Sequence, residues 1–161
     1  MKRMHLGKAC SKAALLLMSL VFMLMGMAAP GRVSAQTEEE NMKESLAFSI
    51  DDTVVSVEWE DNASVAALRE LVQTQPLEIQ MSMYGGFEQV GFIGTDLPRE
   101  DEHTVTESGD IVLYSGDQLV VFYGSNSWAY TRLGKITDKT SEEMRSLLSR
   151  GNVVITISAG E

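Results

Sequence analysis

The chain has 161 residues, with 13 basic and 23 acidic side chains and a formal charge of −10 at pH 7. This acidity argues against binding to nucleic acid or to an anionic membrane surface, because both carry negative charge. Cys10 is the single cysteine, so the chain can form no internal disulfide and no site with several cysteine ligands. The length leaves room for one domain with a hydrophobic core.

The first 35 residues have the pattern of a secretory signal peptide. Four basic residues lie within the first twelve positions, and an uncharged apolar run follows at 13–29. Pro30 and Gly31 break this run, and small residues ending at Ala35 match what a signal peptidase recognises. We predict cleavage after Ala35 and a protein that is secreted or located in the periplasm or cell envelope. The alternative is an uncleaved anchor helix, for which the run is short, since a span needs roughly 20 apolar residues.

The exported chain would begin near Gln36 and carry 8 basic and 23 acidic residues, a formal charge of −15. Residues 36–46 include three consecutive glutamates and show no apolar periodicity, which predicts a flexible acidic leader. Residues 47–161 are predicted to form one domain. We expect this domain to be a monomer that makes no membrane contact after cleavage.

The first half of the domain is predicted to contain strands around one helix. Alternation places Val55, Val57 and Trp59 on one face of a strand. Asn62 is an N-cap candidate for the helix, and Pro76 prevents that helix from continuing. In order, the predicted elements are a strand at 47–60, a helix at 63–73, strands at 77–83 and 90–93, and a long irregular polar loop at 95–108.

The segment 109–136 is predicted to be the centre of the domain. Two apolar runs flank a turn at 115–117 that is built from Ser, Gly and Asp. In the second run, Leu119 and Val121 point to one face while Val120 and Phe122 point to the other. A strand with apolar residues on both faces is typical of one that is covered on both sides.

The chain closes with a helix and a strand. Thr140 and Glu143 form the pattern of a capping box, which predicts a short helix from there to about residue 149. A final strand is predicted at 152–158, with every second residue apolar. About seven strands and two short helices favour a mainly-β domain, a barrel or sandwich that the helices cap.

Few residues indicate a catalytic or metal site. His103 beside three consecutive acids could contact a cation, but adjacent carboxylates fit no defined metal motif. No Gly-x-Ser-x-Gly elbow accompanies His103, and Gly85-Gly86 lacks the Lys-Ser/Thr of a phosphate loop. We predict no metal and no cofactor.

Arg132 is the strongest candidate for a binding residue. It lies close in sequence to several aromatic residues, and a guanidinium among rings can hold a carbonyl or carboxylate while the rings bury an apolar group. The alternative is a surface arginine that pairs with one of the many acids. The predicted cleft consists of Tyr84, Phe87, Phe122, Trp128, Tyr130 and Arg132.

Five segments together resemble the bacterial cyclophilin-like domain family, whose members have the cyclophilin fold but are distinct from true cyclophilins. They are the strand before the Asp61-Asn62 helix start, the 77–83 strand into Tyr84, the strand opening at 109–111, the 119–123 strand, and the 132–136 segment with the helix and strand after it. The resemblance covers about residues 48–158. It implies a closed antiparallel β-barrel with helices at its ends.

The same resemblance implies less about function. True cyclophilins are prolyl isomerases that use an arginine beside an apolar proline pocket, and their Gly-rich and Gln-containing signature runs are absent here. We therefore expect a non-catalytic module that binds a peptide or small molecule. The alternative is a divergent prolyl isomerase for exported proteins, in which Arg132 would weaken the resonance of the prolyl amide.

Overall fold

The computed structural model describes residues 45–160, which form eleven strands and two helices. The predicted mainly-β class with two helices is confirmed, while the predicted signal peptide and residues 36–44 of the predicted leader lie outside the described residues. Neither described helix is long and apolar enough to cross a membrane. The strands are β1 (Leu46–Ile50), β2 (Thr53–Val55), β3 (Val57–Trp59), β4 (Leu77–Gln80), β5 (Ser82–Tyr84), β6 (Glu88–Phe92), β7 (Glu102–Val105), β8 (Asp110–Tyr114), β9 (Gln118–Phe122), β10 (Ser127–Ile136) and β11 (Val154–Ala159), and the helices are α1 (Ala63–Leu71) and α2 (Ser141–Leu148).

The strands form two antiparallel sheets. The first sheet has the order β2-β1-β11-β4, and the second has the order β3-β10-β8-β9-β6-β5, with β7 paired to the first half of β10. Within residues 45–160 the end strands β3 and β5 of the second sheet do not pair with each other. The predicted closed barrel is therefore wrong, because the hydrogen-bonded ladders of both sheets end at open edges.

The two sheets are connected where the chain passes from a strand of one sheet to a strand of the other. The chain leaves β2 for β3 at Ser56 and leaves β4 for β5 at Met81, whose amide donates to the carbonyl of Val153 at 2.9 Å. Such bends form the corners between packed sheets. A Cβ on Gly91 would lie 2.5 Å from the sulfur of Met81, so only glycine allows this close approach. Beyond the bend, Met83 is exposed to solvent.

Two other sequence predictions are corrected by the structure. The predicted strand 47–60 is interrupted at Asp51, whose φ of 48° makes the tight turn of the β1–β2 hairpin. The Asp51 carboxylate also accepts a hydrogen bond from the amide of Val154 at 2.8 Å. The predicted irregular loop at 95–108 contains β7, an edge strand of mostly exposed residues that lacks apolar alternation and so escaped detection.

The central strands β8 and β9 are buried on both faces, which was predicted for β9. Leu119 and Val121 contribute to the main core between the sheets, together with residues of α1, α2 and β11. Val120 and Phe122 point to the opposite face of the second sheet. There they belong to a smaller group, here called the outer cluster, which consists of Val112, Val120, Phe122 and Tyr130, with Phe87 and Val90 packed against it.

Both helices begin at the residues that the sequence indicates. The side chain of Asn62 accepts a hydrogen bond from the amide of Val65 at 3.0 Å, and its Nδ2 donates to the carbonyl of Arg132 at 2.8 Å. Thr140 and Glu143 form the complete capping box of α2, and the hydrogen bonds from Thr140 lower the pKa of the Glu143 carboxyl. Asn62 therefore connects the start of α1 to β10 as well as capping the helix.

Replacing Asn62 should separate these two roles. We expect Asn62→Ala to lower the free energy of unfolding by about 2 kcal/mol, since it removes both the cap and the bond to β10. Asn62→Asp keeps the capping oxygen and loses only the donor, so it should cost about 1 kcal/mol. Urea unfolding of the three proteins measures both effects, and equal losses for the two variants would contradict the second role.

Candidate functional site

A cavity of about 460 Å³ lies on the outer face of the second sheet, above the outer cluster. This volume falls within the range of small-molecule sites, roughly 300–1,000 Å³. Its walls combine four aromatic rings with one acid and two amides, and two valines are part of the lining. The lining residues are Tyr84, Glu88, Val90, Tyr114, Gln118, Val120, Asn126, Trp128 and Tyr130.

Antiparallel pairing brings these side chains to one face. Tyr84 of β5 stands opposite Glu88 of β6, and Tyr114 of β8 stands opposite Gln118 of β9. Tyr130 comes from β10, and its ring lies edge-on to Tyr114 at a centroid distance of 6.0 Å. Five strands that are separated in sequence thus contribute to one site.

Glu88 is the unusual residue of this cavity. Its relative exposure is 5%, and Oε2 has no hydrogen-bond partner among the described residues. Burial raises the pKa of this carboxyl to about 7, because the charged form loses its hydration. A buried and unpartnered acid in a cavity is a common mark of a functional site.

Tyr130 is held in place beside Glu88. Nδ2 of Asn126 donates to the Tyr130 hydroxyl at 2.9 Å, and the amide of Asn126 donates to Oγ1 of Thr106 at 2.9 Å. Burial, followed by the nearby charge of Glu88, raises the pKa of the Tyr130 phenol. The hydroxyl therefore keeps its proton at neutral pH and can donate it in a hydrogen bond to a bound molecule.

The structure brings together only part of the predicted cleft. Tyr84, Trp128 and Tyr130 line the cavity. Phe122 is fully buried beneath Tyr130, at a centroid distance of 5.7 Å, and Phe87 packs beside it in the outer cluster. These two phenylalanines support the site from below and do not line it.

Arg132 lies outside this cavity. Its guanidinium pairs with Glu60 at 3.4 Å and with the buried Asp110 at 3.2 Å. Asp110 also accepts a hydrogen bond from the amide of Glu107 and pairs with Lys135 at 3.4 Å. Arg132 lines a separate depression of about 200 Å³, whose other lining residues are Glu60, Asn62, Glu100, Glu102, Tyr130 and Thr131. Its position agrees with the alternative given in the sequence analysis, an arginine that pairs with acidic residues.

Sequence reasoning missed four lining residues with polar side chains. Glu88, Tyr114, Gln118 and Asn126 show no pattern that separates them from other polar residues, and only the predicted strand 109–114 marked Tyr114 as part of the central sheet. His103 is exposed on β7, and residues 45–160 contain no group of three or more His, Cys, Asp or Glu that could hold a metal ion.

The burial of Glu88 should make stability depend on pH. The folded carboxyl has a pKa of about 7, against an ordinary value near 4.5, so the folded state holds the proton more tightly. The stability that Glu88 provides is present at low pH and is lost as the pH rises through 4.5 to 7. We expect Glu88→Gln to raise the free energy of unfolding by about 2–3 kcal/mol at pH 8.5 and to change it little at pH 4.5.

Urea unfolding at the two pH values measures this difference. Glu78→Gln makes the same replacement at an exposed glutamate of β4 and should change stability little at either pH. An effect of Glu88→Gln that is equal at pH 4.5 and pH 8.5 would show that the Glu88 carboxyl does not titrate in this interval.

Comparisons with known proteins agree with this architecture. Among solved structures, the chain is similar in fold to McbB in complex with tryptophan, with a TM-score of 0.51 and 15% sequence identity. The alignment covers 71% of this chain and 44% of McbB, so the chain spans less than half of that protein's length. No curated protein sequence matches at a significant level. The sequence pattern of the cyclophilin-like family matches residues 48–158, so the resemblance seen in the sequence is confirmed and the chain belongs to the cyclophilin-like family.

Proposed function

We propose that this protein is a non-catalytic binding module that holds a peptide or small ligand in the outer-face cavity. The observation that carries the proposal is the cavity itself, which has the volume of a ligand site and contains the buried, unpartnered carboxyl of Glu88. Converging polar groups in an apolar pocket are the usual arrangement of such sites, because the apolar walls provide affinity and the polar groups provide orientation.

The rim of the cavity supports the same function. Trp128 and Tyr84 are 57% and 67% exposed, which is high for large aromatic side chains. Below them, Val90 and Val120 give the cavity an apolar lining. A molecule that entered would remove apolar surface of these side chains from water, and each Å² buried contributes about 25 cal/mol.

The likeness to McbB supports the choice of a first compound. Tryptophan is the molecule named with that structure, and its size is within what a cavity of about 460 Å³ can hold. The likeness extends to fold alone, so tryptophan enters as one compound to be tested among others.

The prolyl isomerase alternative depends on Arg132, and its position gives that alternative no support. An isomerase would need this guanidinium beside an apolar cleft, free to contact the prolyl amide. Arg132 is instead held by Glu60 and Asp110, and acids surround the depression that it lines. We therefore retain binding as the proposed function.

Action outside the cytoplasm is part of the proposal. It is supported by the basic start, the apolar run at 13–29 and the small residues up to Ala35.

The binding proposal can be tested on the wild-type chain because it has only two tryptophans. Trp128 lies in the cavity, whereas Trp59 packs against Phe48 in the main core. In protein labelled with 5-fluorotryptophan, we expect compounds from a fragment library that includes tryptophan to shift the ¹⁹F resonance of Trp128 and leave that of Trp59 in place. A library in which no compound shifts the Trp128 resonance would contradict the proposal.

Variants should then locate the bound compound. Tyr114→Ala removes a cavity wall, so it should weaken binding of a confirmed compound at least about tenfold. Arg132→Ala should change that affinity less than about twofold, because the side chain faces the other depression. A large loss of affinity in Arg132→Ala, in protein that remains folded, would show that Arg132 contributes to the binding site.

The export proposal predicts the N-terminus of the exported protein. When the full chain is expressed in a secreting bacterial host, the mass of the exported product should correspond to a first residue at Gln36 or an immediate neighbour. A product that retains Met1 and remains with the membrane fraction would show that residues 13–29 act as an uncleaved anchor.

A further inference from the structure

We propose that the ligand of the outer-face cavity carries a positively charged amine, which binds between the Glu88 carboxylate and the surrounding aromatic rings. This inference rests on the proposed function, since it assigns a chemical class to the ligand of that same cavity. It is carried by the geometry of one acid, four rings and no basic side chain in a single pocket.

Within residues 45–160, the Glu88 carboxyl is buried without a hydrogen-bond or ion-pair partner. Oε2 is buried, has no hydrogen-bond partner in the described part of the chain, and no lysine, arginine or histidine there forms an ion pair with Glu88. Asp110, which is as deeply buried, has the opposite surroundings, with Arg132, Lys135 and a backbone amide as partners. Asp110 shows how a buried acid of this sheet is compensated, whereas Glu88 lines the cavity without such a partner among the described residues, and we infer that the ligand supplies it.

The walls of the cavity favour a cation as that partner. Tyr84, Tyr114, Trp128 and Tyr130 all contribute rings, and the face of an aromatic ring attracts an ammonium group. An amine also donates charge-assisted hydrogen bonds, which a carboxylate accepts more strongly than neutral ones. The ring of an arylalkylamine would in addition pack against the two valines of the lining.

An anionic ligand does not fit the same surroundings. Among residues 45–160, no basic side chain lines the cavity, so a carboxylate or phosphate would meet Glu88 without a compensating charge. Arg132, the arginine of the predicted cleft, lines a separate depression and is already paired with two acids. A neutral ligand would supply neither a counter-charge for the carboxylate nor a cation for the faces of the rings.

Binding of an amine should release protons near neutral pH. A cation beside Glu88 favours the ionised carboxylate, so the pKa falls when the complex forms. The other titratable groups that face Glu88 are Tyr84 from β5, Tyr114 from β8 and Tyr130 from β10. Glu88→Gln should abolish the proton release at pH 7, which assigns the released proton to Glu88.

The test compares 2-phenylethylamine with 2-phenylethanol, which have the same ring and chain and differ in charge. Titration calorimetry of the full-length chain or its exported form at pH 7 should show the amine binding at least about tenfold more tightly than the alcohol. The measured enthalpy of amine binding should differ between phosphate and Tris buffers, because protons released from Glu88 are taken up by the buffer.

Two variants complete the design. In Glu88→Gln the preference for the amine should fall at least about fivefold, leaving only the contribution of the rings, and the buffer dependence should disappear. Glu78→Gln removes one negative charge from an exposed position on β4 and should retain the preference for the amine. Because Glu88→Gln replaces a buried charge with a neutral group of the same shape, we expect it to remain folded, which its circular dichroism will verify.

The outcomes separate this inference from the proposed function. Equal affinity for the two compounds in the wild-type chain, or no binding of the amine at millimolar concentration, would overturn the assignment of a cationic ligand. An undiminished preference for the amine in Glu88→Gln would also overturn it, since the preference would then not come from the Glu88 carboxylate. In each of these cases the proposed function would still be judged by the ¹⁹F resonance of Trp128.

Discussion

The burial of β8 and β9 on both faces is the constraint on which the rest of the structure depends. One face, with Leu119 and Val121, is covered by the first sheet and the helices. The other face, with Val112, Val120 and Phe122, must also be removed from water, and only a few aromatic side chains cover it. Because this cover is incomplete, a cavity remains above it, so the site is a consequence of how the outer face of the second sheet is closed.

The two most buried acids of the second sheet show how the same chemistry serves two purposes. Asp110 is compensated by two cations and a backbone amide, and it holds β10 to β8 through Arg132. Glu88 is desolvated without compensation, which raises its pKa and weakens the fold at neutral and alkaline pH. A buried charge without a partner destabilises a fold, so the proposed ligand class rests on the contrast between these two acids.

The aromatic part of the site could be anticipated from the sequence because it depends on local order. Trp128 and Tyr130 are two positions apart on one strand, so they share a face in any pairing. Arg132 is predicted to belong to the same cleft because it lies close in sequence to these aromatic residues. Its guanidinium extends toward Glu60 and Asp110, which lie 72 and 22 residues away in the chain. Local spacing predicts the face of the strand from which a side chain projects. The partners that the side chain contacts depend on strands that are distant in sequence and meet only in the folded protein.

What the sequence by itself determined is the set of properties that neighbouring residues decide. The caps at Asn62 and Thr140, the turn at 115–117 and the two-faced strand β9 follow from hydrogen bonds and periodicities that span only a few positions. Only the tertiary structure decided that the chain bends between sheets at Met81, that polar β7 pairs with β10, and that Glu88 is buried. The physical reason is that burial and pairing are properties of strands brought together from distant segments. A glutamate has the same local sequence pattern whether its side chain is exposed to water or buried.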